Sequence, residues 1–204
     1  MFRFVLAVGF SLAAAVAGAA AGPAAVDEAR LRVAAADAAN WMSHGRTYDE
    51  QRFSPLAQID AGNVSRLGLA WSQTLDFERG VEATPLVVDG VMYVTGPWSV
   101  VYAFDAASGR PLWQHDPAVN RGQAVEGCCG PVNRGVAVWE GRVYVGTLDG
   151  RLVALDAATG EQAWSVDTLI DTSRGYNITG APRVVKGKVL IGNGGADMGA
   201  RGYV

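Results

Sequence analysis

Cysteine is scarce in this 204-residue chain: there are two, adjacent, at positions 128 and 129. That excludes a disulfide-dense scaffold, and it excludes a zinc ribbon, which needs separated ligand pairs. Histidine is as sparse, with only His44 and His115, and neither forms a recognised metal-ligand spacing. No Cys-x-x-Cys-His haem-attachment site occurs. An excess of positive charge is also missing. Seventeen Lys and Arg face 20 Asp and Glu for a net charge of −3, without the basic stripe that a nucleic-acid surface requires. Sustained helical periodicity is absent after the first 40 residues.

What is present is glycine, 26 residues of it, with six each of Trp, Tyr and Phe and an apolar half. Glycine runs well above its usual level of about 7%, yet Gly and Pro together stay below the roughly 25–30% that signals disorder. The composition is that of a turn-rich, aromatic-studded chain able to bury a core.

The N-terminus reads as an address. Arg3 precedes an apolar, small-residue run over residues 4–21, and Ala17-Gly18-Ala19 and Ala19-Ala20-Ala21 both fit small-x-small cleavage sites. A secretory signal peptide over residues 1–21, cleaved near residues 19–22, is expected, with export to the periplasm. A membrane anchor is the other reading, but the run is barely long enough to span and its Ala/Gly half is weakly hydrophobic, so no stable membrane span is expected. Export would place the cysteine pair where disulfides persist.

Three regions follow. Residues 1–21 form the leader. Residues 22–62 hold a helix, favoured over 27–40 by Ala, Glu, Arg and Leu content, and an extended segment. Residues 63–204 read as short strands between turn signals. Within them a unit repeats. Residues 87–116 align with 138–167 at an offset of 51, with 11 identities in 30 positions and no gap, among them Gly90/Gly141, Tyr93/Tyr144, Asp105/Asp156, Gly109/Gly160 and Trp113/Trp164. A third copy begins at Val184, and Leu67-Gly-Leu-Ala-Trp71 is an upstream half-copy.

Each copy makes physical sense. Asp89-Gly90, Glu140-Gly141 and Lys186-Gly187 sit between apolar runs as two-residue hairpin turns do. Asp105–Gly109 and Asp156–Gly160 read as longer hairpins, with Gly at a left-handed position. The register-matched Trp113 and Trp164 should pack between neighbouring units. Four short strands per period of about 45–50 residues, with one aromatic each, is the signature of a β-propeller blade. A two-sheet sandwich is the competing all-β reading, but it does not require register-matched tryptophans. A propeller closes with about four to eight blades, and this sequence supplies about two and a half. It is therefore expected to be the N-terminal portion of a longer protein.

Three constellations could carry chemistry. Consecutive Cα atoms lie about 3.8 Å apart, below the usual disulfide separation of about 4.4–6.8 Å. A bond between Cys128 and Cys129 would therefore close a strained ring with a flat apolar surface; two unlinked thiols or a metal-ligand pair are the alternatives. Glu82, Arg134 and Thr179 each precede the first strand of a unit. In a propeller such positions converge near the axis, so the three could approach one ligand; ordinary turn chemistry is the plainer account. Gly192-Asn-Gly-Gly-Ala-Asp197 brings exposed backbone and a carboxylate to the same region. It is no dinucleotide fingerprint, because no helix follows.

Taken together, the sequence resembles the pyrroloquinoline-quinone (PQQ)-dependent alcohol dehydrogenases, in particular the quinohaemoprotein branch. Trp41-x-x-x-Gly45-Arg46, Phe53-Ser54, Ile59, Asn63-Val64 and Leu67 match the family's N-terminal signature, with Asp60 where Asn is usual. Glu82, Cys128-Cys129-Gly130, Asn133-Arg134-Gly135, Thr179-Gly-Ala-Pro182 and Gly194-Gly-Ala196 follow in family order. The resemblance implies an eight-bladed propeller that oxidises alcohols by hydride transfer to PQQ held on its axis. It implies that Cys128 and Cys129 form a disulfide stacked on the quinone and that Arg134 pairs with a cofactor carboxylate. Thr179, Gly195 and Ala196 would supply hydroxyl and backbone contacts, and Glu82 a further polar one. Calcium would sit beside the quinone, with Asp197 where the family has Glu, one methylene shorter. The resemblance also implies an electron acceptor such as a cytochrome c or quinone. Catalytic base, further metal ligands and any haem c domain would come from later residues. The alternatives are a cofactor-free propeller scaffold for protein assembly, or an inactive truncated product. A scaffold has no use for Cys128-Cys129, Arg134 and the Gly-Gly-Ala run.

Overall fold

The computed structural model describes residues 22–122, 127 and 129–204. The expected leader and Cys128 lie outside the described residues. Among those described, no helix is long and apolar enough to cross a membrane.

Two four-stranded antiparallel sheets, each continuous in sequence, hold most of the strands among the described residues. The first comprises β1 (Leu86–Val88), β2 (Val91–Thr95), β3 (Val101–Asp105) and β4 (Pro111–His115), and the second β5 (Ala137–Trp139), β6 (Arg142–Gly146), β7 (Arg151–Asp156) and β8 (Gln162–Asp167). A third, two-stranded sheet pairs β9 (Arg183–Val185) with β10 (Lys188–Leu190). Both large sheets run in simple sequence order, as blades do and as the crossed connections of a sandwich do not. The repeat extends to its defects: the β3–β4 register shifts between Ala103 and Phe104, and the β7–β8 register between Ala154 and Leu155, at equivalent positions.

The first turn of each unit has positive φ at both central residues: Asp89 51° and Gly90 82°, Glu140 45° and Gly141 75°, Lys186 50° and Gly187 68°. These are the mirror-image turns whose twist suits a hairpin. Glycine accepts that conformation freely, whereas the residue before it bears a Cβ that disfavours it.

The N-terminal segment attaches to all three turns. Arg30 donates from Nη1 and Nη2 to the two Asp89 carboxylate oxygens, each at 2.8 Å, and the Asp89 amide donates to Asn40 Oδ1 at 2.7 Å. Glu140 and Gly141 amides donate to the carbonyls of Val26 and Ala24 at 2.8 and 3.0 Å. The Lys186 amide donates to a Glu28 carboxylate oxygen at 3.2 Å. Trp41 then adds a bridge to the free edge of β1 opposite Val87.

The helix in this segment is shorter than composition suggests. Helix α1 spans Glu28–Arg32, capped by Asp27, whose carboxylate accepts from the Arg30 amide at 2.8 Å. Beyond it the buried Arg46 guanidinium donates to the carbonyls of Ala34, Ala35 and Asp37 at 3.1, 3.4 and 3.2 Å. Tertiary capture of those carbonyls competes with helical bonding and overrides the helix propensity of the Ala-rich run.

Between blades, aromatic rings meet glycines. A Cβ on Gly160 would lie 2.6 Å from the Trp113 ring, and one on Gly109 2.5 Å from the Trp71 ring. The indole N–H groups donate to Ala157 and Ala106 carbonyls at 3.0 and 3.1 Å. The tryptophan of one blade thus lies on the bulged turn of the next. Trp164 is 42% exposed, and the position one repeat beyond Gly160 falls outside the 204 residues. The core runs through both large sheets and up to Val26, Leu31 and Met42 of the N-terminal segment.

Two glycines at similar φ separate backbone strain from the ring contact. Gly187 faces open space, so Gly187→Ala should cost about 1–2 kcal/mol through its left-handed backbone alone. Gly160→Ala should cost about 1–3 kcal/mol more, because the methyl group displaces the Trp113 ring. Urea midpoints at constant m-value would show this, and equal costs would remove the ring contact as an explanation.

The Arg30–Asp89 pair can be probed by pH. The Arg30 hydrogen bond is the main influence holding the Asp89 carboxyl below its ordinary range, outweighing burial. Its stabilisation is therefore complete above the ordinary carboxylate pKa and is lost as pH falls through the lowered folded value. Both side chains are partly exposed, so Asp89→Asn should cost at most about 1 kcal/mol near neutrality. The melting temperatures of Asp89→Asn and the parent should converge in acid.

Candidate functional site

Three segments that enter β1, β5 and β9 lie side by side, and hydrogen bonds run across them in series. The Thr84 amide donates to the Arg134 carbonyl at 3.2 Å, and the Arg134 amide to the Thr179 carbonyl at 2.9 Å. Gly135 makes the approach possible. Its φ is 129°, and a Cβ there would lie 3.0 Å from the Thr84 carbonyl oxygen.

The side chains converge as well. Arg134 Nη1 donates to Thr179 Oγ1 at 2.7 Å, and Nη2 lies 3.3 Å from a Glu82 carboxylate oxygen. Residues from three successive repeats are thus drawn onto one guanidinium. Arg134 is 39% exposed and Glu82 46% at the side chain, so the cluster is open to a ligand. Five N–H donors lie in the plane of the fork, and two contacts leave others for a planar anion. The Glu82 carboxylate balances the guanidinium charge.

The N-terminal segment reaches the same place. Arg52 donates to Thr84 Oγ1 at 3.0 Å, and Glu50 is paired with Arg183. An open groove beside them is lined by His44, Arg134, Gly180, Ala181 and Arg183. His44 Nδ1 is buried without a hydrogen-bond partner among the described residues. The contributions of Arg52 and His44 could not be read from spacing, because they join the cluster only through the path of the segment over residues 41–52.

The cysteine and glycine candidates share no side-chain hydrogen bond or ion pair with this triad among the described residues. Cys129 is exposed and next to Gly130 at φ 74°; the expected pairing with Cys128 lies outside the described residues. Gly194 is bridged to Asn177, two residues before Thr179. Gly195 has φ 136°, and a Cβ there would meet the Gly175 carbonyl at 2.7 Å. Ala196 and Asp197 begin an exposed 3-10 turn, Ala196–Met198. Neither makes a side-chain hydrogen bond or ion pair with Glu82, Arg134 or Thr179 among the described residues.

The donor set suits a planar, carboxylate-bearing cofactor: a fixed guanidinium fork, a threonine hydroxyl and an exposed carboxylate partner. It does not by itself suit a cation. Calcium takes about six to eight oxygens, and no cluster of three or more His, Cys, Asp or Glu side chains occurs among the described residues.

Comparison with known proteins sets the site in context. Residues 41–201 match the PQQ family model for the glucose/ethanol/alcohol dehydrogenase beta-propeller domain. The chain is 65% identical over 199 residues to the quinohemoprotein alcohol dehydrogenase ADH-IIG of Pseudomonas putida, covering 98% of this chain and 28% of that protein. It is 61% identical over 164 residues to the 1-butanol dehydrogenase (cytochrome c) of Thauera butanivorans, covering 80% of this chain and 24% of that protein. Among solved structures, the Pseudomonas putida ADHIIG structure superposes with a TM-score of 0.86 at 67% identity, covering 88% of this chain and 26% of that one. A europium-containing methanol dehydrogenase superposes with a TM-score of 0.80 at 40% identity, covering 86% and 31%. The chain thus spans about a quarter to a third of the length of these relatives, and its sheets are part of a propeller.

His44 gives the groove a measurable pH response. Burial, then Arg183 and Arg52, lower its pKa. A lowered folded value means that stability is full above the ordinary histidine pKa of about 6.5 and declines as pH falls from there through the folded value. His44→Gln should flatten that limb of a stability–pH curve, leaving the part due to His115, whose pKa burial also lowers.

Proposed function

Because the chain belongs to the PQQ-dependent glucose/ethanol/alcohol dehydrogenase propeller family, we propose that it is the N-terminal part of an exported alcohol dehydrogenase and supplies part of its PQQ site. The observation that carries this reading is the convergence of Glu82, Arg134 and Thr179 from three successive repeats. Arg134 would hold a cofactor carboxylate, kept in orientation by Thr179 and charge-balanced by Glu82. Cys128 and Cys129 would form the apolar platform on one face of the ring. Gly195 and Ala196 would offer backbone to its edge. When bound, the quinone supplies a two-electron acceptor for the hydride of an alcohol. The residues described here bind and orient; the proton acceptor for the alcohol is assigned to residues beyond these 204.

Asp197 would contribute one carboxylate to a calcium ion whose remaining donors also lie beyond the described residues. The leader-like residues 1–21 are what supports a periplasmic location. The electron acceptor would be a cytochrome c or a quinone, and haem c would belong to a later domain. A cofactor-free scaffold would leave the Arg134 cluster without a role, so the enzyme reading is preferred.

The test is PQQ binding and dye-linked alcohol oxidation by the protein expressed from its complete reading frame. Arg134→Lys should raise the PQQ dissociation constant about 10- to 100-fold, since one point charge replaces a bidentate fork. The isolated 204-residue chain, given PQQ and calcium, should show no turnover. Turnover by the isolated chain, or an Arg134→Lys variant that binds PQQ like the parent, would overturn the assignment.

A further inference from the structure

Blade one departs from blade two at a buried turn. The loop between β2 and β3 carries two consecutive non-glycine residues in the left-handed region, Trp98 at φ 62° and Ser99 at φ 60°. One repeat later the residue aligned with Ser99 is Gly150, at φ 84°. Glycine meets this backbone without strain, whereas serine costs about 1–2 kcal/mol. What the serine adds is a hydroxyl, and the hydroxyl is fully buried.

That hydroxyl is occupied. Ser99 Oγ accepts from the Leu148 amide at 3.0 Å and from Asn133 Nδ2 at 3.3 Å. Asn133 is itself only 1% exposed. Its Nδ2 also donates to the Gly146 carbonyl at 2.8 Å, its Oδ1 accepts from the Gly135 amide at 3.0 Å, and its own carbonyl accepts from Thr95 Oγ1 at 3.4 Å. The Trp98 amide donates to the Pro131 carbonyl at 2.8 Å. The loop of blade one therefore holds Pro131 and Asn133 of blade two directly, and the Asn133 side chain in turn holds Gly135 on the far side of Arg134. Buried networks of this kind fix a conformation when every member is satisfied.

We propose that Ser99, acting through Asn133, is a positioning residue for Arg134. It holds the backbone on either side of that residue so that the guanidinium is set for the cofactor carboxylate before the cofactor arrives. This rests on the PQQ reading of the Arg134 cluster. The left-handed strain at Ser99 is retained because a glycine there would fold as well but leave the Asn133-Arg134-Gly135 segment free to shift. Strained, non-glycine backbone is found at sites where geometry matters more than stability.

The deciding variant is Ser99→Gly, made in the protein from its complete reading frame. Glycine relieves the backbone while deleting the hydroxyl, so the melting temperature should stay within a few degrees of the parent. The PQQ dissociation constant, followed by quinone absorbance, should rise about 5- to 10-fold, the equivalent of one lost hydrogen bond. At saturating PQQ, kcat and the KM for alcohol should be unchanged. Gly187→Ala, whose added methyl group faces open space, serves as the structural control, losing stability without changing the PQQ dissociation constant. A Ser99→Gly protein that binds PQQ within twofold of the parent would overturn the proposal. Amide hydrogen exchange at Gly135 supplies the independent arm: its protection should fall about tenfold in Ser99→Gly. If the parent binds no PQQ, the functional reading fails, and the exchange result still decides whether Ser99 fixes the segment that bears Arg134.

Discussion

The contact of Trp113 with Gly160, and of Trp71 with Gly109, sets the spacing on which the rest of this structure depends. A flat ring lies against a backbone that has no side chain, so successive sheets approach more closely than any Cβ would permit. The indole N–H fixes the ring's rotation by donating to a carbonyl of the facing turn. Once that separation is set at the outer strands, the segments entering the first strands fall within hydrogen-bonding reach of one another. The bonds from Thr84 to Arg134 and from Arg134 to Thr179 are the inner consequence of the outer packing.

The hairpin turns add a second constraint. Each places a side-chain-bearing residue at positive φ, and in each case the N-terminal segment supplies a partner: Arg30 and Asn40 at Asp89, the Val26 carbonyl at Glu140, and Glu28 at Lys186. A segment with almost no regular structure of its own is thus ordered by three turns of three different blades, and it orders them in return. Its ion pair is partly exposed and contributes little energy alone. Its effect is geometric, because three anchors on successive repeats restrain their relative rotation. The same segment then carries His44 and Arg52 to the Arg134 cluster.

Much of this was legible in the sequence because repetition turns long-range contacts into a local pattern. Matching Gly90 to Gly141 and Trp113 to Trp164 located the hairpins and the inter-blade rings. The rule that equivalent positions converge placed Glu82, Arg134 and Thr179 together although some 50 residues separate each from the next. The helix over 27–40 was overestimated because its propensity is local, whereas the acceptors it needed were taken by Arg46 from outside the segment. Ser99 gave no signal by residue type, since a buried serine in a turn is unexceptional. Only its alignment with Gly150, together with the φ it must adopt, makes it stand out.

These observations separate two kinds of position in a repeating fold. Where the copies agree, at the turn glycines, the tryptophans and the Tyr93 and Tyr144 rings that face them, the residues serve contacts that every blade must make. Where the copies disagree along the seam between blades, the residue serves something other than the contacts every blade must make. Asn133-Arg134 stands opposite Glu82-Ala83, and Ser99 opposite Gly150. At each of these departures the blade-one or blade-two residue makes a polar contact that reaches into the adjacent blade. A ligand on a propeller axis is asymmetric, so a site for it has to break the repeat. The departure at Ser99 carries left-handed strain that the glycine at the equivalent position of blade two does not.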